Sequence, residues 1–270
     1  MQGSLGEKIG EGVFADVYAW APGQVVKLFK SGVSQRLCRH EARMTRAVFA
    51  AGVLAPEVFD EVTLEGRFGI VLSRFDGSTL LQLTRTGAVT FEQAGAILAT
   101  LARSVHKTPP PSGVALLRDW MDFSLRSDKG RLPTHIATAI RPLIERLSPN
   151  DGLCHGDLHP NNVIMTAEGP RLVDWTWAMR GPAALDLAFS HIIHTEIAPQ
   201  ATDDPERPHA VNAAVQSAYA RLAGIPQAAL MAAMEPYLPI VCVIHLLWGA
   251  EGALRERMIQ RIEAALRPED

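Results

Sequence analysis

The sequence predicts an α+β protein with a small β-rich N-terminal lobe followed by a larger, mainly helical C-terminal lobe. Residues 9–72 contain short strand-like runs, separated by glycine-containing turns, that flank one predicted helix. From residue 78 onward, apolar side chains recur at helical spacing instead. A polar loop and a short predicted hairpin interrupt these helices near residue 160. The change of pattern divides the 270-residue chain into predicted lobes of residues 1–75 and 76–270.

The first two predicted strands enclose a glycine-containing turn. Residues 9–18, IGEGVFADVY, suggest two strands joined through Gly10 and Gly12. Glycine has no Cβ atom, so backbone N–H groups in such a turn can approach a phosphate closely. The turn therefore predicts a phosphate-binding loop.

The next strand and helix each place a charge on an apolar face. In the predicted strand 24–29, period-two alternation puts Lys27 on the same face as Val25. The predicted helix 34–51 carries Glu41 within its apolar stripe. A buried charge without a partner is costly, so pairing would satisfy both residues. We therefore predict an ion pair between Lys27 and Glu41.

Further helices are predicted after a strand at residues 67–72. Thr90 begins one of them with a capping-box pattern, and three prolines at residues 109–111 follow its end. The other predicted helices cover residues 118–125, 135–147, 211–222 and 231–248. The longest apolar stretch, residues 238–248, is shorter than the ~20 residues that a membrane span needs. A buried helix is therefore predicted there.

Composition limits the function classes. The formal net charge is −3, which gives no basic excess to suggest nucleic-acid binding. The three cysteines are dispersed and odd in number, which favours a reducing compartment without disulfides. Residues 1–4 begin no apolar run and predict no signal peptide. The chain is therefore predicted to be cytoplasmic, without nucleic-acid or membrane partners, while its oligomeric state stays open.

The strongest functional signal is a polar loop beside the predicted hairpin. Residues 155–165, HGDLHPNNVIM, are followed after a turn-forming run by residues 172–175, LVDW. The hairpin should place Asn162, before its first strand, beside Asp174, after its second, and Asp157 lies in the loop that leads in. Carboxylate and amide oxygens suit Mg²⁺. The other carboxylate can orient a hydroxyl and accept its proton.

This motif resembles the catalytic and metal-binding segments of the protein-kinase-like superfamily, in its aminoglycoside phosphotransferase and choline kinase branch. The residues that carry the resemblance are His-Gly-Asp-Leu-His-Pro-Asn-Asn and Val-Asp-Trp. The resemblance implies a protein-kinase-like two-lobe fold and an ATP- and Mg²⁺-dependent phosphotransferase. It makes Asp157 the catalytic aspartate and Asn162 and Asp174 the magnesium ligands. Asp186 would support the catalytic loop.

The same resemblance implies a nucleotide site in the N-terminal lobe. Lys27 and Glu41 would form the pair that positions the α- and β-phosphates of ATP. The two glycines of the first turn would cover the phosphates, two aliphatic residues would line the base pocket, and two hinge residues would meet the adenine edge through backbone groups. These positions are Gly10, Gly12, Val25, Leu72, Ser73 and Phe75. ATP is favoured as the nucleotide, with GTP as the open alternative.

The acceptor is predicted to be a small molecule with a hydroxyl group, because the connection after Asp174 is shorter than the segment that holds a peptide in protein kinases. Residues 76–270 carry 21 acidic against 17 basic residues. This excess is compatible with a cationic, aminoglycoside-like acceptor, which is favoured. Choline, ethanolamine or an amino sugar is the alternative. An aromatic cage for a quaternary ammonium would draw on Trp120, Trp175, Trp177, Tyr237 and Trp248.

Two other function classes stay open. The chain could be a catalytically silent kinase fold that binds ATP as a regulatory module. It could instead be a metal hydrolase in which His155, Asp157 and His159 bind Zn²⁺ or Fe²⁺. The hydrolase is the weaker hypothesis, because Pro160 follows at once and the kinase pattern accounts for more positions.

Overall fold

The computed structural model describes residues 5–128, 130–147 and 152–267. Its N-terminal part is a five-stranded antiparallel sheet of order β1–β2–β3–β5–β4. The strands are β1 (Lys8–Glu11), β2 (Ala15–Ala19), β3 (Gln24–Phe29), β4 (Val58–Leu64) and β5 (Arg67–Ser73). Residues 1–4, on which the prediction of no signal peptide rests, lie outside the described residues.

Helix α1 (Gln35–Ala50) packs against this sheet and carries Glu41 on its buried face. Ser34 caps the helix, since its hydroxyl accepts a hydrogen bond from Leu37 N at 3.4 Å. The helix stops before Gly52, whose φ of +84° lies in the left-handed region that glycine adopts readily. The predicted start and stop signals are therefore both used.

The chain becomes mainly helical after residue 79. The helices are α2 (Leu80–Arg85), α3 (Phe91–Lys107), α4 (Leu117–Arg126), α5 (Thr134–Glu145), α6 (Ala183–Ile192), α7 (Glu206–Ala223), α8 (Gln227–Met234), α9 (Leu238–Leu247) and α10 (Gly252–Ala265). The capping box predicted at Thr90 is present, with Gln93 as its second member. The α+β class is confirmed, whereas the lobe boundary at residue 75 stays a prediction.

Two small antiparallel sheets carry the polar loop. Strands β8 (Val163–Thr166) and β9 (Gly169–Leu172) form the predicted hairpin, to which β6 (Ser78–Thr79) adds a third strand. Strand β7 (Gly152–Cys154) pairs with β10 (Met179–Gly181). The loop from β7 ends in a 3₁₀ turn, Pro160–Asn162, directly before β8. The segments around residues 157 and 174 thus meet at the open end of the hairpin.

The single helix predicted at residues 231–248 is instead built from α8, a 3₁₀ turn and α9. Pro236 and Pro239 lie at this junction, where their missing N–H groups cannot continue the α-helical hydrogen bonds. The combined segment, Gln227–Leu247, has 21 residues and passes a length and composition test for a membrane span. Its most apolar window is 61% buried within the fold. Core helices of soluble proteins pass the same test.

Candidate active site

One cavity collects most of the polar residues that the sequence singled out. It has a volume of about 440 Å³ and lies between the β1–β2 turn, α1 and the open end of the β8–β9 hairpin. The predicted site residues on its wall are Gly12, Lys27, Glu41, Asp157, Asn162 and Asp174. Residues that are far apart in the chain therefore face one space.

Lys27, on β3, is bound by two carboxylates. Its Nζ lies 2.6 Å from Glu41 Oε1 on α1 and 3.0 Å from Asp174 Oδ2 after β9. Burial alone would lower the pKa of Lys27, but the charges of Asp174 and Glu41 outweigh burial and raise this pKa above its usual range. The predicted Lys27–Glu41 pair is present, with Asp174 as an additional partner.

Thr176 closes these contacts into a ring. Its Oγ1 lies 2.8 Å from Glu41 Oε2 and 2.8 Å from Asp174 Oδ1. Each carboxylate therefore contacts Lys27 with one oxygen and Thr176 with the other. Burial raises the pKa of Glu41. Burial would also raise the pKa of Asp174, but Lys27 holds it below its usual range. We call Lys27, Glu41, Thr176 and Asp174 the Lys27 ring.

Asp157 is held by neighbours in its own loop. Asn162 Nδ2 donates to Asp157 Oδ2 and to the Asp157 carbonyl, both at 2.9 Å. His159 Nε2 lies 3.5 Å from Asp157 Oδ1. Burial would raise the pKa of Asp157, but His159, with help from the Asn162 amide, lowers it to about 2. The carboxylate is therefore ionised at neutral pH and can accept a hydrogen bond from a hydroxyl group.

Asp186 fixes the backbone of the Asp157 loop through hydrogen bonds. It is fully buried on α6, and its two oxygens accept hydrogen bonds from His155 N at 3.0 Å and Gly156 N at 2.8 Å. His106 Nε2 lies 3.0 Å from Asp186 Oδ2. These are the contacts expected of a residue that supports the loop.

The Asp157 loop and the segment after Asp174 are packed directly on each other. Gly156 has a φ of +78°, and a Cβ atom at this position would lie 2.3 Å from the Trp177 carbonyl oxygen. A side chain at position 156 would therefore separate the two segments. Asp174 has a φ of +64°, which is uncommon for a residue with a side chain. The Lys27 ring holds its carboxylate in this orientation.

A match of this chain to a known protein family is consistent with the geometry of the cavity. Residues 7–225 match the sequence profile described as the phosphotransferase enzyme family. The chain belongs to this family. A thiamine kinase from Escherichia coli K12 is 36% identical over 85 residues, which make up 32% of this chain. Because these residues are 26% of the thiamine kinase, the chain matches only about a quarter of that relative's length.

Solved structures of other proteins have the same fold. A choline kinase from Cryptosporidium parvum is 16% identical, with a TM-score of 0.57, covering 98% of this chain and 88% of that chain. An aminoglycoside phosphotransferase from Streptomyces rimosus, in complex with ADP and streptomycin, is 16% identical, with a TM-score of 0.54, covering 84% and 92%. At these identities the likeness establishes the protein-kinase-like two-lobe fold, as the resemblance in the sequence implies.

The remaining nucleotide-binding positions predicted for this phosphotransferase-family chain are not part of the cavity wall. These positions are Gly10, Val25, Leu72, Ser73 and Phe75. Val25 and Leu72 are opposite each other in the β3–β5 register. The Ser73 N–H donates to the Glu57 carbonyl at 2.9 Å, and the Ser73 hydroxyl accepts from Glu57 N at 3.0 Å. Their roles at the adenine base stay predictions.

Some residues on the wall were not singled out by the sequence. Thr176 joins two carboxylates, and Asn161 and Phe14 also line the cavity. The available signal for Thr176 was its position two residues after Asp174, where its hydroxyl can return to that carboxylate. Asn161 belongs to the His-Gly-Asp-Leu-His-Pro-Asn-Asn motif and Phe14 to the glycine-containing turn, but neither was assigned a role from the sequence.

Asn162 and Asp174 have the chemistry that a magnesium ion needs. Asn162 uses its Nδ2 atom on Asp157, so its carbonyl oxygen is the atom left for a cation. Mg²⁺ often binds one or two side-chain oxygens of the protein together with phosphate and water oxygens. Asn162 and Asp174 are therefore the residues that could hold an Mg²⁺ ion that arrives with a nucleotide.

The zinc or iron cluster considered from the sequence is not formed. His155 has Nε2 at 3.0 Å from the Val173 carbonyl, and its Nδ1 accepts from Asp157 N at 3.2 Å. Both of its ring nitrogens are therefore engaged. Within the described ranges 5–128, 130–147 and 152–267, no group of three or more His, Cys, Asp or Glu could hold a metal ion.

The aromatic cage considered from the sequence is not assembled as a whole. Trp175 is fully buried and packs edge-on to His155, with 4.5 Å between ring centroids. Tyr237 is 5% exposed and belongs to the helical core. The other three members, Trp120, Trp177 and Trp248, lie together, and Trp177 lines the cavity.

Proposed function

We propose that this protein transfers the γ-phosphoryl group of ATP to a hydroxyl group of a small molecule in an Mg²⁺-dependent reaction. The observation that carries the proposal is the convergence of Lys27, Asp157 and Asp174 on one cavity. Membership of the phosphotransferase enzyme family supports the reaction type. The Streptomyces rimosus relative binds ADP and streptomycin, which supports an adenine nucleotide as donor and a small molecule as acceptor.

The phosphate side of the reaction depends on charge and position. Lys27 is charged and fixed by Glu41, and we assign it to the nucleotide phosphates. Gly12 lies on the same wall and would cover them. Asn162 and Asp174 would hold Mg²⁺, which supplies neutralisation of phosphate charge when bound. Phosphoryl transfer needs positioning and charge stabilisation more than covalent chemistry by the protein.

Asp157 acts on the acceptor. The acceptor oxygen forms a bond to the γ-phosphorus, the bond from that phosphorus to the bridging oxygen of ADP breaks, and the acceptor proton passes to Asp157. The pKa of about 2 makes this carboxylate a weak base before transfer begins. Orientation of the hydroxyl is therefore its main contribution until the bond to phosphorus forms.

The nucleotide base and the cellular setting complete the proposal. We assign Val25 and Leu72 to the base pocket and the Ser73 carbonyl and Phe75 amide to the adenine edge, with Gly10 in the phosphate loop. The proposed lobes are residues 1–75 and 76–270. The three cysteines, Cys38, Cys154 and Cys242, are unpaired and buried. Unpaired cysteines support a reducing compartment such as the cytoplasm.

The proposed reaction is tested by mass spectrometry of acceptors incubated with Mg·ATP. The relatives suggest streptomycin, choline and thiamine as acceptors, and ethanolamine and amino sugars extend the panel. We expect one class to gain a phosphoryl group with the wild-type protein and none with Asp157→Asn. Nucleotide binding without transfer to any acceptor would favour the silent kinase fold.

A further inference from the structure

We infer that His159 is a positioning residue for the proposed transfer. Its Nε2–H group would hold Asp157 Oδ1 so that the carboxylate keeps one orientation toward the acceptor hydroxyl. This inference rests on the proposed function and adds a residue to its mechanism. It gives His159 a role other than the metal ligand that was considered from the sequence.

The local sequence holds the His159 ring beside its own loop. A residue before proline favours extended backbone, and His159, which precedes Pro160, has φ and ψ of −152° and 165°. Its carbonyl accepts a hydrogen bond from Asn162 N at 3.0 Å, which closes the 3₁₀ turn. The ring returns over this turn, and Nδ1 accepts from Asn161 N at 3.3 Å. One ring nitrogen is therefore used by the fold.

The contact with Asn161 determines which nitrogen of His159 carries the proton. A backbone N–H group can only donate, so Nδ1 accepts and carries no proton in the neutral ring. The proton of the neutral ring is therefore on Nε2. Nε2 would also carry a proton in a charged ring, so its role as a donor does not depend on the protonation state of His159.

The Nε2 atom of His159 adjoins the reacting carboxylate. It lies 3.5 Å from Asp157 Oδ1, and both side chains line the cavity, with 23% and 27% of their surfaces exposed. A carboxylate oxygen can accept two hydrogen bonds, so His159 leaves one position on Oδ1 for the acceptor hydroxyl. The separation is long for a hydrogen bond, and contacts of this kind in active sites often tighten when substrate binds.

A second donor on Asp157 would fix the plane of its carboxylate. Asn162 Nδ2 holds only Oδ2 of the two carboxylate oxygens, and the terminal torsion of an aspartate side chain is otherwise broad. Donors on both oxygens define the plane. Transfer depends on this orientation, since a misplacement of about 1 Å can cost about 10²-fold in rate. His159 would therefore act by orienting Asp157 and not by accepting the proton itself.

The other histidine of the loop has a different task. His155 is fully buried, its Nδ1 accepts from Asp157 N at 3.2 Å, and its Nε2 lies 3.0 Å from the Val173 carbonyl. It supports the backbone of Asp157, and of the two histidines only His159 lines the cavity. One ring thus supports the backbone of the reacting residue, and the other adjoins its carboxylate.

Two substitutions separate the two nitrogens of the His159 ring. His159→Asn keeps an acceptor close to the position of Nδ1, as a good N-cap residue does, but removes the Nε2 donor. His159→Gln keeps an amide donor close to the position of Nε2 but removes the Nδ1 acceptor. We expect His159→Asn to lower the single-turnover rate about 10- to 100-fold with unchanged affinity for Mg·ATP. His159→Gln should recover most of this rate and lower the urea midpoint of unfolding.

A purely structural His159 predicts the reverse order. If the ring only caps the turn, His159→Asn should keep the wild-type rate, and His159→Gln should lose rate and stability together. Either that result or an equal loss of rate in both variants would overturn the inference. His135→Asn is the control, because His135 is exposed and pairs with Glu263 outside the cavity. It should change neither the rate nor the affinity for Mg·ATP.

A double-mutant cycle tests whether His159 acts through Asp157. If it does, adding His159→Asn to Asp157→Asn should lower the residual rate no further, because the carboxylate that His159 orients is already absent. A further loss as large as that in the wild-type background would mean that His159 meets the phosphoryl group or the acceptor directly. That outcome would overturn the positioning role.

The inference and the proposed function fail in different ways. Asp157-dependent transfer that is insensitive to His159→Asn would reject the inference and leave the function standing. If the wild-type protein phosphorylates no acceptor, the proposed function fails, and nitrogen NMR of the His159 ring still decides whether His159 holds Asp157. We expect a proton on Nε2 whose resonance shifts in Asp157→Asn. A bare Nε2, or a resonance that Asp157→Asn leaves unchanged, would overturn the inference.

Discussion

Two regions beside the Asp157 loop differ in how far the protein satisfies its own polar groups. The charged end is the Lys27 ring, and the aromatic end is the cluster of rings that contact Trp248, among them Trp177 and His245. At the end formed by the Lys27 ring, one ammonium, two carboxylates and a hydroxyl bond to one another at 2.6–3.0 Å. At the aromatic end, two buried ring nitrogens, His245 Nε2 and Trp248 Nε1, have no hydrogen-bond partner within the described residues. The charged end is thus pre-organised before any ligand binds, whereas the aromatic end leaves buried polar atoms unpaired.

The charged end has the groups that a nucleotide and Mg²⁺ need. Nucleotide phosphates and Mg²⁺ have the same chemistry in every reaction of this kind, so a fixed set of charges serves them. Acceptors differ in shape and polarity, and their recognition depends on groups that pair only with the right ligand. Mutations at the two ends should therefore affect different measurements.

The largest effect is expected at Asp157, which lies between the two ends. Asp157→Asn keeps the shape of the side chain but removes the proton acceptor, and turnover should fall by about 10³-fold, consistent with the loss of a positioned general base. ATP affinity should change little, because Asp157 does not contact Lys27. Single-turnover rates and calorimetric ATP binding measure the two quantities. A variant that retains wild-type turnover would remove Asp157 from the mechanism.

The next largest effect should be a loss of stability, caused by substitution of Asp186, which supports the backbone of the Asp157 loop. Asp186→Ala leaves the N–H groups of His155 and Gly156 without their acceptor in a fully buried site. Breaking such a network costs about 3–5 kcal/mol of unfolding free energy. Asp204→Ala is the matched control, because its partner Arg207 is exposed and such pairs contribute about 0–1 kcal/mol. Urea unfolding should show a clearly larger loss of unfolding free energy for Asp186→Ala than for Asp204→Ala.

Two buried histidines should also make the protein sensitive to acid. His194 and His245 have pKa values of about 4 in the folded protein, below the usual value of ~6.5 in an unfolded chain. The unfolded state therefore binds more protons between these values. The stability contributed by each neutral ring is complete above about pH 6.5 and is lost as the pH falls toward 4.

The expected loss is roughly 1–2 kcal/mol per histidine between pH 6.5 and 5. Unfolding free energies measured across this range should fall less steeply in His245→Asn than in the wild type. Identical slopes for His245→Asn and the wild type would show that the imidazole of His245 is not held neutral.

The charged end was the more predictable from sequence. Lys27 and Glu41 were recognisable because each places a charge on an apolar face, an anomaly that short-range periodicity reveals. Asn162 and Asp174 were recognisable because a hairpin brings its two ends together over a short stretch of chain. Both signals are local, and the structure contains the pair and the hairpin at the expected residues.

The aromatic end was not predictable in the same way. Trp177 and Trp248 are 71 positions apart in the numbering, and their stacking depends on where α9 ends against the segment after Asp174. That position depends on the junction at residues 235–237, which the sequence pattern presented as one uninterrupted helix. Composition therefore suggested a cage of five aromatic residues, two of which belong to the core.

The smallest effect is predicted at Thr176. A substitution there should change the affinity for Mg·ATP without changing the KM for the acceptor. Thr176→Val keeps the volume of the side chain but removes the hydroxyl that contacts Glu41 and Asp174, so the Asp174 carboxylate loses one of its two fixed contacts. Loss of a hydrogen bond to a charged group costs about 1.5 kcal/mol, so affinity for Mg·ATP should fall roughly tenfold. Thr176→Ser keeps the hydroxyl and should bind Mg·ATP as the wild type does.

The KM for the acceptor should be the same in Thr176→Val and Thr176→Ser, because this hydroxyl contacts Glu41 and Asp174, which we assign to the nucleotide side. Equal affinity of both variants for Mg·ATP would mean that Lys27 alone orients Asp174. A parallel rise in the KM values for Mg·ATP and for the acceptor would show that the ring also positions Trp177, the next residue in the chain. In that case the charged and aromatic ends form one unit, and recognition of the acceptor depends on the integrity of the Lys27 ring.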